Sequence, residues 1–360
     1  MIGRRRVLAS GGAAALVAMA PRGLWAGYAP QAGAWRTFEI VTRVELPRGG
    51  KTAQAWVPVP SHRDDTWTVP DRNLWVNNAD EVKLVEGEGT AFVQARWAAG
   101  EGPAVLEVTS RVATRSRSVA LEASTGATLT GAERAELTAP TELLPTDGIV
   151  LETAQGIVAG RAGDLEKARA IYDWVVESTE RNPETRGCGL GDIASMLHMG
   201  DLTGKCADLN ALFVGLCRAA GLPARDLYGL RVAPSDFGYR ALGAGSENVT
   251  GAQHCRAEVF VEGTGWVPAD PADVRKVVLQ EDGGLSLADA KVQDARRGLF
   301  GAAEGNWLCL NTAHDVVLPG AADDAPLPFL MYPQAEIGGE RLDELAPDAF
   351  VYTITARELT

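Results

Sequence analysis

The chain of 360 residues has few of the residues that build metal and nucleotide sites. Its four histidines are scattered singly and its five cysteines include no CxxC pair, which excludes zinc sites of the common spacings. It contains neither a Gly-rich phosphate loop nor a GxSxG nucleophile elbow, so nothing indicates a P-loop nucleotidase or an α/β serine hydrolase. We expect neither a cofactor nor a metal ion.

Basic residues are also in deficit. The chain has 34 Lys+Arg against 47 Asp+Glu, a net charge of −13. Such a surface repels phosphate backbones, which argues against nucleic acid as a partner. The cysteines are too sparse for a disulfide scaffold, and their odd number leaves at least one free thiol.

Residues 1–26 have the pattern of an export signal. Arg4, Arg5 and Arg6 precede an alanine-rich apolar run that ends at Ala20, and this run is too short to be a stable membrane anchor. Paired arginines resemble the twin-arginine export signal. The sequence therefore predicts a periplasmic or secreted protein, attached to the membrane only if the signal is not cleaved.

The remaining pattern divides the chain into three predicted segments. Residues 27–145 contain short alternating strands separated by turns, typical of a β-sandwich-like domain with a structural or substrate-presenting role. Residues 146–280 combine helical and strand patterns. Residues 281–360 are again β-rich and are expected to complete or flank the central sheet.

The most informative stretch runs from Thr203 to Gly221. Apolar residues recur at helical spacing after Cys206, Gly204 precedes the helix, and Gly221 with Pro223 ends it. Cys206 is therefore predicted in the first turn, where free N–H groups and the helix dipole favour a thiolate. Buried cysteines are also common as small apolar residues, so this position alone does not identify a nucleophile.

A hairpin downstream supplies two partners for such a thiol. His254 lies on a strand predicted over 253–261, and the strand that follows the turn ends at Asp270. Because a hairpin brings the end of one strand beside the start of its partner, Asp270 is expected close to His254. A thiol, an imidazole and a carboxylate in this order are the parts of a nucleophilic site.

The sequence also predicts the positions of two further cysteines and of one long loop near these residues. Side chains alternate along a strand, so Cys255 is expected to point away from His254 into the core. Cys188 is flanked by glycines and marks a tight loop, either near the site or simply filling a turn. The loop over residues 233–252 directly precedes His254 and is predicted to be a lid or a substrate-binding loop.

These motifs resemble the transglutaminase-like superfamily. The matching parts are Gly204-Lys205-Cys206 at the helix start, His254 before an Ala-Glu-Val strand, and Gly-Trp-Val-Pro-Ala-Asp270-Pro. The flanking β-regions are similar to those of bacterial secreted members. The resemblance implies an α+β fold with a papain-like core, in which the cysteine helix packs on an antiparallel sheet, together with an N-terminal β-sandwich-like domain and a C-terminal β-extension.

The resemblance also implies a reaction. Cys206 would be the nucleophile, His254 the general base and acid, and Asp270 the group that orients the imidazole. The thiolate would attack a carboxamide to form a thioester, which water hydrolyses or a lysine amine converts into a crosslink. Hydrolysis of peptide or other amide bonds is the expected outcome. The expected substrate is a protein or peptide, and one hypothesis places that substrate in the cell envelope.

The oxyanion site and two alternative functions are left open. The backbone N–H of Cys206 is implied as one oxyanion donor, with Trp174 and His198 as candidates for the second. A non-catalytic envelope binding or scaffold protein would keep the same fold, although Cys206, His254 and Asp270 are all intact. A lyase or isomerase using the same three residues is the other alternative. The sequence does not determine the oligomeric state.

Overall fold

The computed structural model describes residues 27–359, which form a two-sheet β-sandwich and a mixed helix–sheet core. The strands are β1 (Arg36–Leu46), β2 (Ala53–Pro58), β3 (Thr68–Asn77), β4 (Glu81–Gly87), β5 (Thr90–Trp97), β6 (Ala104–Thr114), β7 (Arg117–Ser118), β8 (Glu180–Arg181), β9 (Thr203–Gly204), β10 (Ala224–Arg231), β11 (Gln253–Val261), β12 (Gly265–Ala269), β13 (Ala302–Ala303), β14 (Trp307–Asn311), β15 (His314–Val316), β16 (Leu327–Phe329), β17 (Gln334–Ile337), β18 (Glu340–Arg341) and β19 (Val351–Leu359). The helices are α1 (Gly131–Leu137), α2 (Gly148–Val158), α3 (Asp164–Ser178), α4 (Ile193–Met199), α5 (Cys206–Ala219), α6 (Pro271–Gln280) and α7 (Ala290–Gly298).

The sandwich consists of two antiparallel sheets. Their strand orders are β19-β1-β6-β3 and β18-β17-β2-β5-β4. Every second residue of β6 is buried, as expected for a strand with one face on a core. Leu46, Leu106 and Phe350 belong to the apolar cluster that draws side chains from both sheets.

The core sheet has the order β12-β11-β10-β14 and carries α5 on one face. The sequence predicts a single apolar stripe on this helix, but all residues from Cys206 to Arg218 are buried. The reason is that α2, α3 and α6 cover the faces of α5 that do not contact the sheet. A helix enclosed in this way holds its first residue in a fixed position relative to β11.

The C-terminal residues contribute strands to both parts of the fold. Strand β14 completes one edge of the core sheet, whereas β17, β18 and β19 belong to the sandwich. The segment predicted as a C-terminal β-extension also contains α7. Residues near the two ends of the described chain therefore pair directly, as between β1 and β19.

The predicted α+β fold class is confirmed by this architecture. The helices beginning at Asp164 and Cys206 and the hairpin β11–β12 lie where the sequence predicts them. Among residues 27–359, no helix has the length and apolar character needed to cross a membrane. The predicted export signal, residues 1–26, lies outside the described residues.

Candidate active site

Cys206 is the first residue of α5 and lines a cleft of about 690 Å³ together with Lys205 and His254. It is only 3% exposed. The approach to the helix is held by a short parallel pairing in which Arg181 of β8 lies opposite Gly204 of β9. The thiol is thus fixed in the first helical turn, where unpaired N–H groups favour a negative charge.

The buried carboxylate of Asp208 ties the helix start to the preceding loop. It accepts hydrogen bonds from the backbone N–H groups of Lys205 and Leu190, both at 2.9 Å, and of Gly191 at 3.0 Å. Gly189 has φ +94°, and a Cβ at this position would lie 1.8 Å from Asp208 Oδ2. Only glycine fits this loop, which explains the glycines around Cys188.

His254 lies on β11 between Cys206 and two carboxylates. Its Nε2 is 2.7 Å from Asp270 Oδ2 and 3.3 Å from Asp273 Oδ2. Asp270 accepts from the N–H of Asp273 at 3.0 Å, and Asp273 accepts from Arg231 at 2.6 Å. Because the carboxylates occupy Nε2, the second imidazole nitrogen is the one left for Cys206, whose pKa the imidazole lowers.

These neighbours keep His254 protonated. Burial and the charge of Arg231 act to lower the pKa of His254, but Asp273 and Asp270 outweigh them and raise it to about 9. Burial likewise opposes ionisation of Asp273, whereas Arg231 and then His254 hold the pKa of that carboxyl well below its usual range. The imidazole is therefore an imidazolium at neutral pH.

Three thiols meet at the start of α5. The neighbouring thiols of Cys188 and Cys255, followed by the imidazole and charge of His254, outweigh burial and hold the pKa of Cys206 well below its usual range. The neighbouring Cys206 is the first cause that raises the pKa of Cys188, whose Sγ donates to the carbonyl of Gln253 at 3.6 Å. The site therefore favours a thiolate–imidazolium pair, the reactive form of a cysteine nucleophile.

The structure places both of the neighbouring cysteines at the site. Cys188 is held there because its carbonyl accepts from the N–H of Ala207 at 2.8 Å, so it does more than fill a turn. Cys255 is fully buried, as predicted from strand alternation. It nevertheless helps to lower the pKa of Cys206, because α5 packs directly on β11.

Asn210 is a site residue that sequence reasoning missed. Its Nδ2 donates to Asp270 Oδ1 at 3.1 Å and to the carbonyl of Cys255 at 2.8 Å, and its Oδ1 accepts from the N–H of Ala272 at 3.2 Å. It thereby fixes the carboxylate that orients His254. The available signal was its position four residues after Cys206, which puts both residues on one helix face.

Asp273 was missed for a related reason. The Asp270-Pro271 pair ends β12, as predicted, but it also begins α6, with Asp270 as the N-cap and the proline at the first helical position. Aspartate before proline is a helix start signal. Applied here, it would have placed Asp273 in the first turn, beside Asp270.

The two side chains considered as the second oxyanion donor do not line the cleft. Neither Trp174 nor His198 is among its walls, and His198 is exposed. Gln253 does line the cleft, and its Nε2 is buried without an acceptor among residues 27–359. This donor, next to His254 in sequence, is the better candidate to act with the N–H of Cys206.

The imidazole and two carboxylates also have the chemistry of a metal-binding set. Ligand atoms of His254, Asp270 and Asp273 lie within 4.8 Å of one another. However, Arg231 contacts Asp273 at 2.6 Å, and Arg256 lies 3.9 Å from Asp270. Two guanidinium groups would repel a cation at this position, whereas they stabilise the ionised carboxylates.

The predicted loop over residues 233–252 forms one wall of the cleft. It is pinned to β19, because the N–H of Val249 donates to the carbonyl of Ile354 at 2.9 Å and the N–H of Ala356 donates to Glu247 at 2.8 Å. A further bond joins the N–H of Ile354 to Thr250 Oγ1 at 2.8 Å. This position suits a substrate-binding loop better than a lid.

Residues 151–271 match the family model described as the transglutaminase-like superfamily. These residues are a transglutaminase-like core. The matched range contains Cys206, His254 and Asp270, and it covers α3, α4, α5 and the β11–β12 hairpin. The resemblance predicted from the sequence is confirmed.

Large parts of the chain are similar to proteins of several bacteria. It is 40% identical over 224 residues to an uncharacterized protein of Haemophilus influenzae, a match that covers 60% of either chain. Among solved structures, a candidate cysteine protease from Cytophaga hutchinsonii aligns with a TM-score of 0.50 and 17% identity, over 90% of this chain and 99% of that one. That likeness supports the fold. The periplasmic domain of TgpA from Pseudomonas aeruginosa aligns over 71% of this chain and 92% of its own, with 15% identity and a TM-score of 0.34.

Proposed function

We propose that this protein is a cysteine peptidase or amidase that cleaves peptide or other carboxamide bonds through Cys206, His254 and Asp270. The observation that carries the proposal is a buried imidazole that is hydrogen-bonded to a carboxylate at 2.7 Å and lowers the pKa of a helix-start thiol in the same cleft. This pairing lies at the wall of a cleft large enough for a peptide segment.

The reaction follows from the charges of the site. The Cys206 thiolate attacks the carbonyl carbon, and the backbone N–H of Cys206 with Nε2 of Gln253 stabilises the oxyanion. The C–N bond breaks as the His254 imidazolium gives its proton to the leaving amine, which leaves a thioester. Water, deprotonated by His254, then attacks the thioester, releases the carboxylic acid and regenerates the thiolate–imidazolium pair.

We infer that water, not an amine, is the usual acceptor, and that the substrate is a protein or peptide of the cell envelope. The arginine-led, apolar residues 1–26 support export. The sequence also lacks an EF-hand-like loop of the kind that would bind calcium.

Trapping of the thioester tests the proposal. The protein is mixed with a panel of short peptides that end in a carboxamide or contain an isopeptide bond, quenched in acid and analysed by mass spectrometry. We expect an acyl adduct on the peptide that contains Cys206, its release by hydroxylamine, and its loss in His254→Ala. Addition of a primary amine separates the two acceptors, and the free acid should remain the main product.

The alternative functions give different results in the same experiment. A binding or scaffold protein would give no adduct with any member of the panel. A lyase or isomerase would turn over a substrate without releasing an amine. Amide turnover by Cys206→Ala at the rate of the wild-type protein would contradict the assignment of the nucleophile.

A further inference from the structure

The cleft beside Cys206 is rich in positive charge, although the chain as a whole is acidic. Four cationic side chains line it, those of Arg181, Lys205, Arg231 and Lys276, whereas Glu344 is the one carboxylate among its lining residues. The net charge of the chain is −13. A positively charged cleft in a negatively charged protein favours the binding of anions.

Three of these cations lack a counter-ion in the described part of the chain. Arg231 is paired with Asp273, but Arg181, Lys205 and Lys276 form neither an ion pair nor a side-chain hydrogen bond with any residue among 27–359. The Nε of Arg181 is moreover buried without an acceptor. A buried donor of this kind is costly unless a ligand supplies the acceptor.

The fold holds Arg181 and Lys276 next to Cys206. Arg181 is fixed by the pairing of β8 with β9, because the N–H of Asn182 donates to the carbonyl of Gly204 at 2.9 Å, two residues before Cys206. Lys276 lies on α6, one turn after Asp273. Helix α6 also packs against β8, so the two residues lie on neighbouring elements whose backbones are fixed.

The two cations are close enough to repel each other. Burial, then Arg231 and, more weakly, Arg181 lower the pKa of Lys276 to about 8, although Asp273 and Cys206 act in the opposite direction. Lys276 is therefore mainly protonated at pH 7 but at a cost in free energy. A bound anion would remove that cost.

We propose that Arg181 and Lys276 bind a carboxylate of the amide substrate beside Cys206. This inference rests on the proposed function and gives the substrate class, an acidic peptide or amide. A guanidinium and an ammonium on one carboxylate form charge-assisted hydrogen bonds, which are the strong ones in proteins. The carboxylate comes either from a peptide C-terminus or from an Asp or Glu side chain.

Equilibrium binding to Cys206→Ala tests the site without catalysis. Calorimetry uses one peptide sequence in three forms: with a free C-terminus, with a C-terminal carboxamide, and with the carboxamide plus an internal Glu. We expect Arg181→Gln or Lys276→Gln to weaken binding of a carboxylate form by about 10- to 100-fold. Binding of the neutral carboxamide should not change, and Lys276→Arg should restore most of the affinity.

The matched control is Arg161→Gln, because Arg161 is exposed and lies outside the cleft. It removes the same charge and should leave all three affinities unchanged. The form that loses affinity identifies the source of the carboxylate, C-terminal or side-chain. Equal affinities for acid and neutral forms, or equal losses in Arg161→Gln, would overturn the carboxylate site.

Turnover by the protein with Cys206 intact separates failure of this inference from failure of the proposed function. If acidic and neutral peptides are cleaved equally well and Lys276→Gln has no effect on KM, the enzyme assignment stands and the carboxylate site is wrong. If none is cleaved but the charge-dependent binding is observed, the carboxylate site stands and the proposed function is wrong. For a cleaved acidic peptide we expect Lys276→Gln to raise KM by about 10-fold or more, with a smaller change in kcat.

Discussion

The sandwich buries few charged side chains, whereas the core sheet buries several. The exception in the sandwich is Glu336 of β17, which is buried and paired with Arg341. In strands β1, β2, β5 and β6 the buried polar side chains are neutral, for example Thr42, Gln94 and Ser110. Strands β10 and β11 instead bury charged or ionisable side chains, among them Glu258 and His254. Removing a charge from water costs several kcal/mol unless it is paired. The core sheet therefore depends on paired buried charges, some of which, such as Glu258, stabilise the fold, while others, such as His254, line the cleft.

The largest effect is expected from Cys206→Ala. Removing the nucleophile should lower kcat for amide cleavage by about 10⁴-fold or more, while the thermal unfolding midpoint changes little. Cys217→Ala is the matched control, because Cys217 is also buried on α5 but does not line the cleft. Comparable turnover in the two variants would contradict the claim that Cys206, unlike Cys217, is needed for amide cleavage.

The next effect concerns a buried charge network that joins the two parts of the fold. Glu258 on β11 is fully buried and accepts from Arg117 at 2.6 Å and from Arg225 at 2.7 Å. Glu258→Gln leaves both guanidinium groups without their carboxylate and should lower the free energy of unfolding by about 3–5 kcal/mol. Urea unfolding measures this loss, and a change below about 1 kcal/mol would contradict it.

The same network predicts the response to acid. Burial opposes ionisation of Glu258, but Arg117 and Arg225 outweigh it and lower its pKa to about 2. The folded-state pKa of Glu258 lies below the unfolded value of about 4.3. The contribution of ionised Glu258 to the free energy of unfolding is therefore fully present above about pH 4.3 and is lost as the pH falls toward 2. In Glu258→Gln, the free energy of unfolding should therefore fall less steeply with decreasing pH between the unfolded and folded pKa values of Glu258.

Within the sandwich, Leu106→Ala tests the opposite side of the comparison. Leu106 is fully buried between the sheets, so the cavity should lower the free energy of unfolding by about 2–5 kcal/mol. The kcat of the folded protein should stay the same, since Leu106 is not among the residues that line the cleft. A loss of kcat at temperatures where the variant is folded would show that the sandwich contributes to catalysis.

The smallest effect is a shift in pH dependence. Asp273 and Asp270 raise the pKa of His254 to about 9, so the imidazolium is present below that pH and is lost as the pH rises through it. Asp273→Asn should move the alkaline limb of the rate profile to lower pH by about one to three units. Asp71→Asn on exposed β3 is the control, and an unmoved limb in Asp273→Asn would contradict the role of Asp273.

Sequence patterns predicted the elements with clear periodicity and missed those without it. Strand β1 and strand β6 follow from simple alternation, and α5 follows from helical spacing between Gly204 and Gly221. Strand β3 was missed because Pro70 and the polar residues after it break the pattern. The structure places it at a sheet edge with an irregularity at Pro70, where such residues are tolerated.

The site divides in the same way. Cys206, His254 and Asp270 were predicted because a helix start and a hairpin place them by local geometry. Arg181 and Arg231 come to the cleft through tertiary packing of β8 and β10, for which local sequence carries no signal. The charges that β8 and β10 bring to the cleft were therefore not predictable, although the position of Cys206 was.

The most direct test of the account is the pH-dependent alkylation of Cys206. Brief, substoichiometric iodoacetamide at several pH values, followed by mass spectrometry, gives an apparent pKa for each reactive cysteine. We predict that Cys206 is labelled ahead of buried Cys217 and Cys309 with an apparent pKa well below about 8.5, and that His254→Ala loses this advantage. Labelling of Cys206 no faster than of Cys309, or the same profile in His254→Ala, would contradict the thiolate–imidazolium pair on which the proposed function depends.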